Sequence, residues 1–138
     1  MIVADTGGIL ALLNGQDEHH GAVRDLYERD GAWILPWAIL PEVDYLAGQR
    51  MGDQVARAFV ADLKDGLFTV DAGVAKDLPR ATELLARYAD QKLGLVDAVV
   101  MAQAERHHAR VIVTTDARHF RAVKLRISPP PRLVPIDG

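Results

Sequence analysis

The chain contains no cysteine, which excludes disulfide staples and thiolate metal ligands together. Any metal it holds must be held by oxygen or imidazole. It also has no apolar run near the roughly 18 residues of a membrane span, and it opens straight into strand-like sequence without a basic, apolar, cleavable leader. A soluble, cytoplasmic protein with no membrane partner is expected. Lysine is scarce, confined to Lys64, Lys76, Lys92 and Lys124, and arginine supplies the other bases. No repeat or low-complexity stretch interrupts the 138 residues, and only Ser128 to Pro131 is visibly proline-rich. A composition of 49% hydrophobic and 25% charged residues is globular, so a single domain over 1–138 is expected. Positive charge is not in excess either, since the formal net charge is −3. Set four acids aside at one site, however, and fifteen acids remain against sixteen bases. Net charge therefore excludes no anionic partner, least of all if bound cations reverse the local sign.

What the chain does have is a set of short apolar runs separated by helical patterns. Ile2-Val3-Ala4 reads as a buried strand, stopped by Asp5 before the apolar pattern resumes at Ile9. A helix from Asp17 or Glu18 carries Val23, Leu26 and Tyr27 on one face and stops at Asp30-Gly31. Ala32 to Leu35 reads as a second strand closed by Pro36, and a third helix runs from about Trp37 to Ala47 with Gly48 just past its end. Asp53 is placed to cap a fourth helix, and Leu67 to Val70 forms a third strand. A fifth helix presents Ala81, Leu84, Leu85 and Tyr88, followed by a loop over 90–94. The sixth helix, Leu95 to about His108, is apolar nearly all round until Glu105, which predicts deep burial. Arg110 to Thr114 is a fourth strand, 117–122 a short helical turn, and Leu133-Val134 a last strand. Strands alternating with helices predict a parallel sheet inside a three-layer α/β/α sandwich.

In such sheets ligands gather at the carboxyl ends of the strands. Asp5 and Asp116 each follow a strand directly. Asp97 sits in the first turn of the apolar sixth helix, where free N–H groups and the helix dipole tolerate an anion. A buried carboxylate still needs a partner. Glu42 emerges from an apolar surface formed by Ala38, Ile39 and Leu46, whereas Asp44 lies about 200° around the same helix and cannot face the same point. Three or four carboxylates on one dry edge stay ionised together only beside cations. Oxygen donors without sulfur suit Mg²⁺ or Mn²⁺, ions that promote in-line phosphodiester cleavage.

The segments Ile2 to Thr6, Leu40-Pro41-Glu42-Val43, Leu93 to Ala98 and Val113 to Phe120 together resemble the PIN domain, more narrowly the VapC-type toxins of bacterial toxin–antitoxin pairs. The resemblance covers the whole chain in order. It implies that Asp5, Glu42, Asp97 and Asp116 bind one or two Mg²⁺ or Mn²⁺ ions and make the protein a metal-dependent endoribonuclease, with a metal-activated water attacking the phosphodiester. It matches Thr6 and Thr114 to hydroxyl residues of the family's site, and Asp90 to an acid that some relatives add. It also implies a cognate antitoxin and a homodimer. Arg118, His119 and Arg121 follow Asp116 and are candidates for holding RNA phosphates.

Other readings compete with these. A non-catalytic RNA-binding or partner-binding module on the same fold is the rival of a different class. A haloacid-dehalogenase-type phosphatase needs a second aspartate at the position of Gly7, and a receiver domain needs an acid pair after the first strand that is missing, although Asp71 and Lys124 sit suitably. His19-His20 and His107-His108 look like metal pairs, but adjacent helical residues point apart. Trp33 and Trp37 are expected in core or interface packing. The apolar faces of the third and fifth helices suggest dimerisation or a groove for a partner helix.

Overall fold

Ile2–Ala4, β1, has only three residues, yet it is the middle strand of the sheet. The computed structural model describes residues 1–138 and orders the strands β3-β2-β1-β4-β5, with β2 at Ile34–Pro36, β3 at Thr69–Asp71, β4 at Val111–Thr114 and β5 at Arg132–Pro135. Every pair is parallel, with Val3 level with Ile34 on one side and Ile112 on the other. A strand flanked on both edges and covered on both faces must be apolar throughout, and Ile2, Val3 and Ala4 are all buried.

Seven helices, α1 Thr6–Leu13, α2 His20–Arg29, α3 Leu40–Met51, α4 Asp53–Lys64, α5 Asp77–Arg87, α6 Leu95–Arg106 and α7 Ala117–Ala122, complete the expected three-layer α/β/α arrangement. One continuous apolar core runs from Ile2 to Val134. It includes an aromatic cluster in which Trp33 meets Tyr27 edge-on at 5.2 Å between ring centroids. Trp37 does not join that core, being 59% exposed. No helix is long and apolar enough to cross a membrane.

Several element ends differ from the sequence expectation, each for a local reason. A 3₁₀ turn at Trp37–Ile39 precedes α3, which then runs through Gly48 to Met51. Gly48 is retained inside the helix because α4 packs close to it: a Cβ there would lie 3.3 Å from Asp53 Oδ1. The stop comes at Gly52, whose φ of 99° few other residues adopt. Gly52 is also the N-cap of α4, so Asp53 is that helix's first residue and not its cap. Asp17 does not start α2; its carboxylate accepts the His19 N–H at 2.8 Å in a turn. The sixth helix ends at Arg106, short of His108.

Two arginine clusters fasten α5 and α6 together. Arg80 clasps Glu105 through two bonds of 2.8 and 2.9 Å. Arg106 reaches Asp77 at 2.8 Å and Asp71 at 2.7 Å, while His107 Nε2 lies 2.6 Å from Asp71. Asp71 is thus occupied in bracing β3, which agrees with setting the receiver reading aside. The paired histidines share nothing: His20 Nδ1 meets the Ala11 carbonyl at 2.9 Å, and His108 lies in the left-handed region with φ 50°.

The tightest backbone approach is at Gly8, where an added Cβ would sit 2.4 Å from the Val113 carbonyl oxygen. Gly21, in α2, has open space instead. Gly8→Ala is therefore expected to destabilise the protein by about 2 kcal/mol or more through overpacking, whereas Gly21→Ala stabilises it by roughly 0.5 to 1 kcal/mol through helix propensity. Urea denaturation of both variants checks the opposite signs.

Candidate active site

Because all five strands are parallel, their carboxyl ends share one edge, and β1 and β4 lie side by side along it. Asp5 leaves β1 and serves as the N-cap of α1. Its Oδ1 accepts the Gly8 N–H at 3.1 Å, and its Oδ2 accepts the Thr114 hydroxyl at 2.7 Å. Its own N–H continues the ladder to the Val113 carbonyl at 3.0 Å. Only 8% of the residue is exposed. Burial pushes the carboxyl upward most strongly. The bonds from Thr114 and Gly8 oppose it, and the negative charges of Asp97 and Asp116 add to the rise, leaving a pKa of about 6.

Asp97 is the third residue of α6, where its Oδ2 accepts the N–H of Gly94, the helix's N-cap, at 3.2 Å. Asp97 is only half-buried, since its carboxyl reaches past the apolar face of the helix, and its neighbour is His119, whose Nδ1 lies 3.1 Å from the same oxygen. Asp116 caps α7, accepting the Arg118 N–H at 3.3 Å, and its Oδ2 is 3.8 Å from His119 Nδ1. His119 stands three residues after Asp116 on a helix, so its ring turns back over the acids. That spacing was the one sequence signal for its role as an acid partner. The neighbouring Arg118 and Arg121 stay exposed, and Arg121 is tied to Asp137.

The hydroxyls differ in what they have left to offer. Thr114 is fully used, donating to Asp5 and accepting the Asp116 N–H at 3.1 Å. It orients the acids. Thr6 Oγ1 is buried with no hydrogen-bond partner, a costly arrangement unless something binds it. Glu42 lies exposed in the first turn of α3, and Asp90 lies exposed in a 3₁₀ turn at Ala89–Gln91. Neither of them is hydrogen-bonded or ion-paired to the other acids, and neither contributes to the rise at Asp5. Contacts and mutual charge link Asp5, Asp97, Asp116 and His119, whereas Glu42 and Asp90 present exposed carboxylates free of hydrogen bonds and ion pairs.

No three of the Asp, Glu and His side chains form a complete metal cage. Mg²⁺ needs none, since it is held by one or two carboxylates, retained waters and substrate phosphates. Clustered acids, an orphaned buried hydroxyl and no sulfur donor fit a hard divalent cation.

The PIN domain family model matches residues 2–125 of this chain. The chain belongs to the PIN domain family. Ribonuclease VapC26 of Mycobacterium tuberculosis (strain ATCC 25618 / H37Rv) is 29% identical over 125 residues, which cover 89% of this chain and 92% of that protein. In fold, the chain is similar to Mycobacterium tuberculosis VapC20, a sarcin–ricin loop cleaving toxin. The TM-score is 0.80 at 24% identity, covering 94% of this chain and 100% of that one. It is also similar to VapBC2 from Rickettsia felis bound to a fragment of promoter DNA, with a TM-score of 0.68 at 16% identity over 96% of this chain and 97% of that one. The relatives that it resembles are VapC and VapBC proteins.

The raised Asp5 pKa carries a sign for stability. Folded Asp5 holds its proton up to about pH 6, whereas an unfolded aspartate releases it near 4. The native state thus binds more protons between these values, and metal-free stability falls as pH rises through that window, by up to about 3 kcal/mol. Thermal unfolding in chelator from about pH 4 to 7 should show this decline in the wild-type PIN domain and much less of it in Asp5→Asn. Identical pH profiles would place the titrating group elsewhere.

Proposed function

We propose that this PIN domain is an endoribonuclease, the toxin of a toxin–antitoxin pair, and that it hydrolyses RNA phosphodiester bonds with Mg²⁺ or Mn²⁺. The observation that carries this reading is the crowding of Asp97 and Asp116 around the buried carboxyl of Asp5 at the ends of the two central strands. Acids that raise one another's pKa in a cleft edge are poised for a cation or for proton transfer. The relatives support the choice between these: VapC26 is a ribonuclease, VapC20 cleaves the sarcin–ricin loop, and other similar folds are VapBC from Salmonella typhimurium and a toxin–antitoxin complex from Klebsiella pneumoniae.

Asp5, Asp97 and Asp116 are the residues that hold the cation, Thr6 adds the free hydroxyl, and Glu42 and Asp90 enter only when a shared ligand draws them in. The chemistry a bound Mg²⁺ or Mn²⁺ supplies is charge for the phosphate oxygens and a water of lowered pKa. The chain's own residues do the positioning. Thr114 fixes Oδ2 of Asp5, and the Gly8 N–H fixes Oδ1, so the carboxylate presents one orientation. The His119 ring stands between Asp97 and Asp116, with Nδ1 3.1 Å from one and 3.8 Å from the other. Asp116 is the most exposed of the three, with 54% of its side chain accessible, so it lies where a phosphodiester arrives. Arg118 beside it, exposed and without an ion pair, meets a phosphate. For protein partners, an antitoxin and a second copy of the chain, the exposed apolar side chains Trp37, Tyr45, Val60, Leu78 and Leu95 offer contact.

The direct test is cleavage of a mixed RNA pool by purified, antitoxin-free protein in Mg²⁺, in Mn²⁺ and in chelator. Discrete fragments are expected only with metal. Asp5→Asn and Asp97→Asn are expected to lower the rate by more than about 100-fold, and Thr114→Val, which removes the bonds that orient Asp5 and Asp116 but no carboxylate, by about 10- to 100-fold. Undiminished cleavage by Asp5→Asn overturns the site.

A further inference from the structure

The charge of this chain is unevenly placed. Residues 117–136 hold Arg118, Arg121, Lys124, Arg126 and Arg132, five of the sixteen bases, and none of the nineteen acids. The stretch starts immediately after Asp116. In the fold it forms α7 and the following strap, which together with β5 wall an open groove of about 920 Å³. Phe120, Leu125, Ile127 and Leu133 make its apolar lining, while Arg121 and Lys124 are among its polar residues. A second hollow of about 220 Å³ adjoins it, lined by Arg80, Arg87, Tyr88, Lys124, Leu125 and Arg126. The two share Tyr88, Lys124, Leu125 and Arg126 and so make one continuous feature.

Two observations separate this feature from an ordinary ion-paired surface. Its acids are already matched: Glu105 by Arg80, Glu83 by Arg80 and Arg126, and Asp137 by Arg121. Arg87 and Lys124 form no ion pair, and both are exposed. Positive charge is therefore left over. At the centre stands a half-buried aromatic ring. The Tyr88 oxygen accepts the Lys124 N–H at 3.1 Å, and the Arg87 guanidinium lies 5.9 Å from the ring centroid. Free cations beside an aromatic face match a single nucleic-acid strand, with phosphates on the cations and a base on the ring.

The groove also lies in the right direction. Asp116 caps one end of α7, and Arg121 stands in its last turn, so the two are roughly 7.5 Å apart along the helix axis. A strand cut at the acids and continuing along α7 enters the groove. The geometry points to this joined groove as a second RNA-holding site, which grips single-stranded RNA beside the scissile bond through Arg87, Lys124 and Tyr88. The assignment rests on the ribonuclease reading for its substrate and makes the groove, not the acids, the source of strand affinity.

Binding and cutting are measured separately, so that the two readings fail separately. In chelator, where no cleavage interferes, the affinity of wild type for a labelled single-stranded RNA pool is compared with Arg87→Gln/Lys124→Gln and with Arg29→Gln/Arg50→Gln. The second pair neutralises two exposed, unpaired arginines on α2 and α3, away from the groove. The groove variant should bind roughly tenfold more weakly, and its salt slope should fall by about 1.4, at about 0.7 per lost phosphate contact. The control pair should match wild type. Tyr88→Leu should weaken binding at least about fivefold, and Tyr88→Phe, which keeps the ring, should not. Equal affinities in the two double variants overturn the proposal, as does a loss confined to an acidic peptide such as polyglutamate. Wild type that binds RNA through the groove but cuts none with Mg²⁺ or Mn²⁺ leaves the groove standing and removes the nuclease reading.

Discussion

The structure depends on burying one carboxyl, that of Asp5, at the end of its central strand. A carboxylate is expensive to take out of water, and here burial outweighs two hydrogen bonds and holds the pKa near 6. Every nearby element is arranged around that cost. Thr114 is set on β4 where its hydroxyl can reach Asp5, and α1 brings the Gly8 N–H to the other oxygen. That approach requires the backbone of α1 to lie against Val113, which only a residue without a side chain permits at Gly8. Ile2, Val3 and Ala4 supply the apolar burial that keeps the arrangement in place.

The second requirement is that Asp97 arrive at the same edge, and this is decided at the far end of α6. A twelve-residue helix is a rod of roughly 18 Å, so fixing its last turn fixes its first. Arg106 does so by bonding Asp77 and Asp71 together, while Glu105 is held by Arg80 and by the Arg126 N–H at 2.7 Å. Burial pushes Asp71, Asp77 and Glu105 upward, but the bonds from arginine, His107 and main-chain N–H groups outweigh it, and all three lie below the usual carboxylate range. These acids stay ionised where Asp5 does not. These three are given a cation by the chain, whereas the buried Asp5 has none.

That difference also explains what was legible in the sequence. The parallel α/β plan followed from short apolar runs alternating with helical periods, and Asp5 and Asp116 could be picked out because each directly follows such a run. Asp97 stood out as a lone acid on an apolar helix. Element ends were less legible: Gly48 looks like a stop until the close packing of α4 is known, and Gly52 is distinguished only by its φ. The clamp formed by Arg106, His107, Asp71 and Asp77 could not be read, because its members are about thirty residues apart and nothing local marks them as neighbours. Glu42 rested on helical periodicity and on family resemblance, and in the fold no contact ties it to the other acids. Those two signals speak for a face of a helix, not for a distance.

An acid that keeps its proton to about pH 6 makes the acidic cluster less repulsive than three formal charges imply. Near neutrality Asp5 ionises at a cost to the fold, and a divalent cation relieves that cost as it displaces the last protons. Binding and stability are therefore linked through one residue. The same logic applies to the basic strap. Arginines at the groove whose charge is spent on Glu83, Glu105 or Asp137 shape it, whereas Arg87 and Lys124 retain charge for a ligand. Acids without cations lie at one end of α7 and cations without acids lie beyond the other. A polyanion that needs a metal at one phosphate and a counter-ion at the next satisfies both at once, which is why a net charge of −3 does not argue against an RNA substrate.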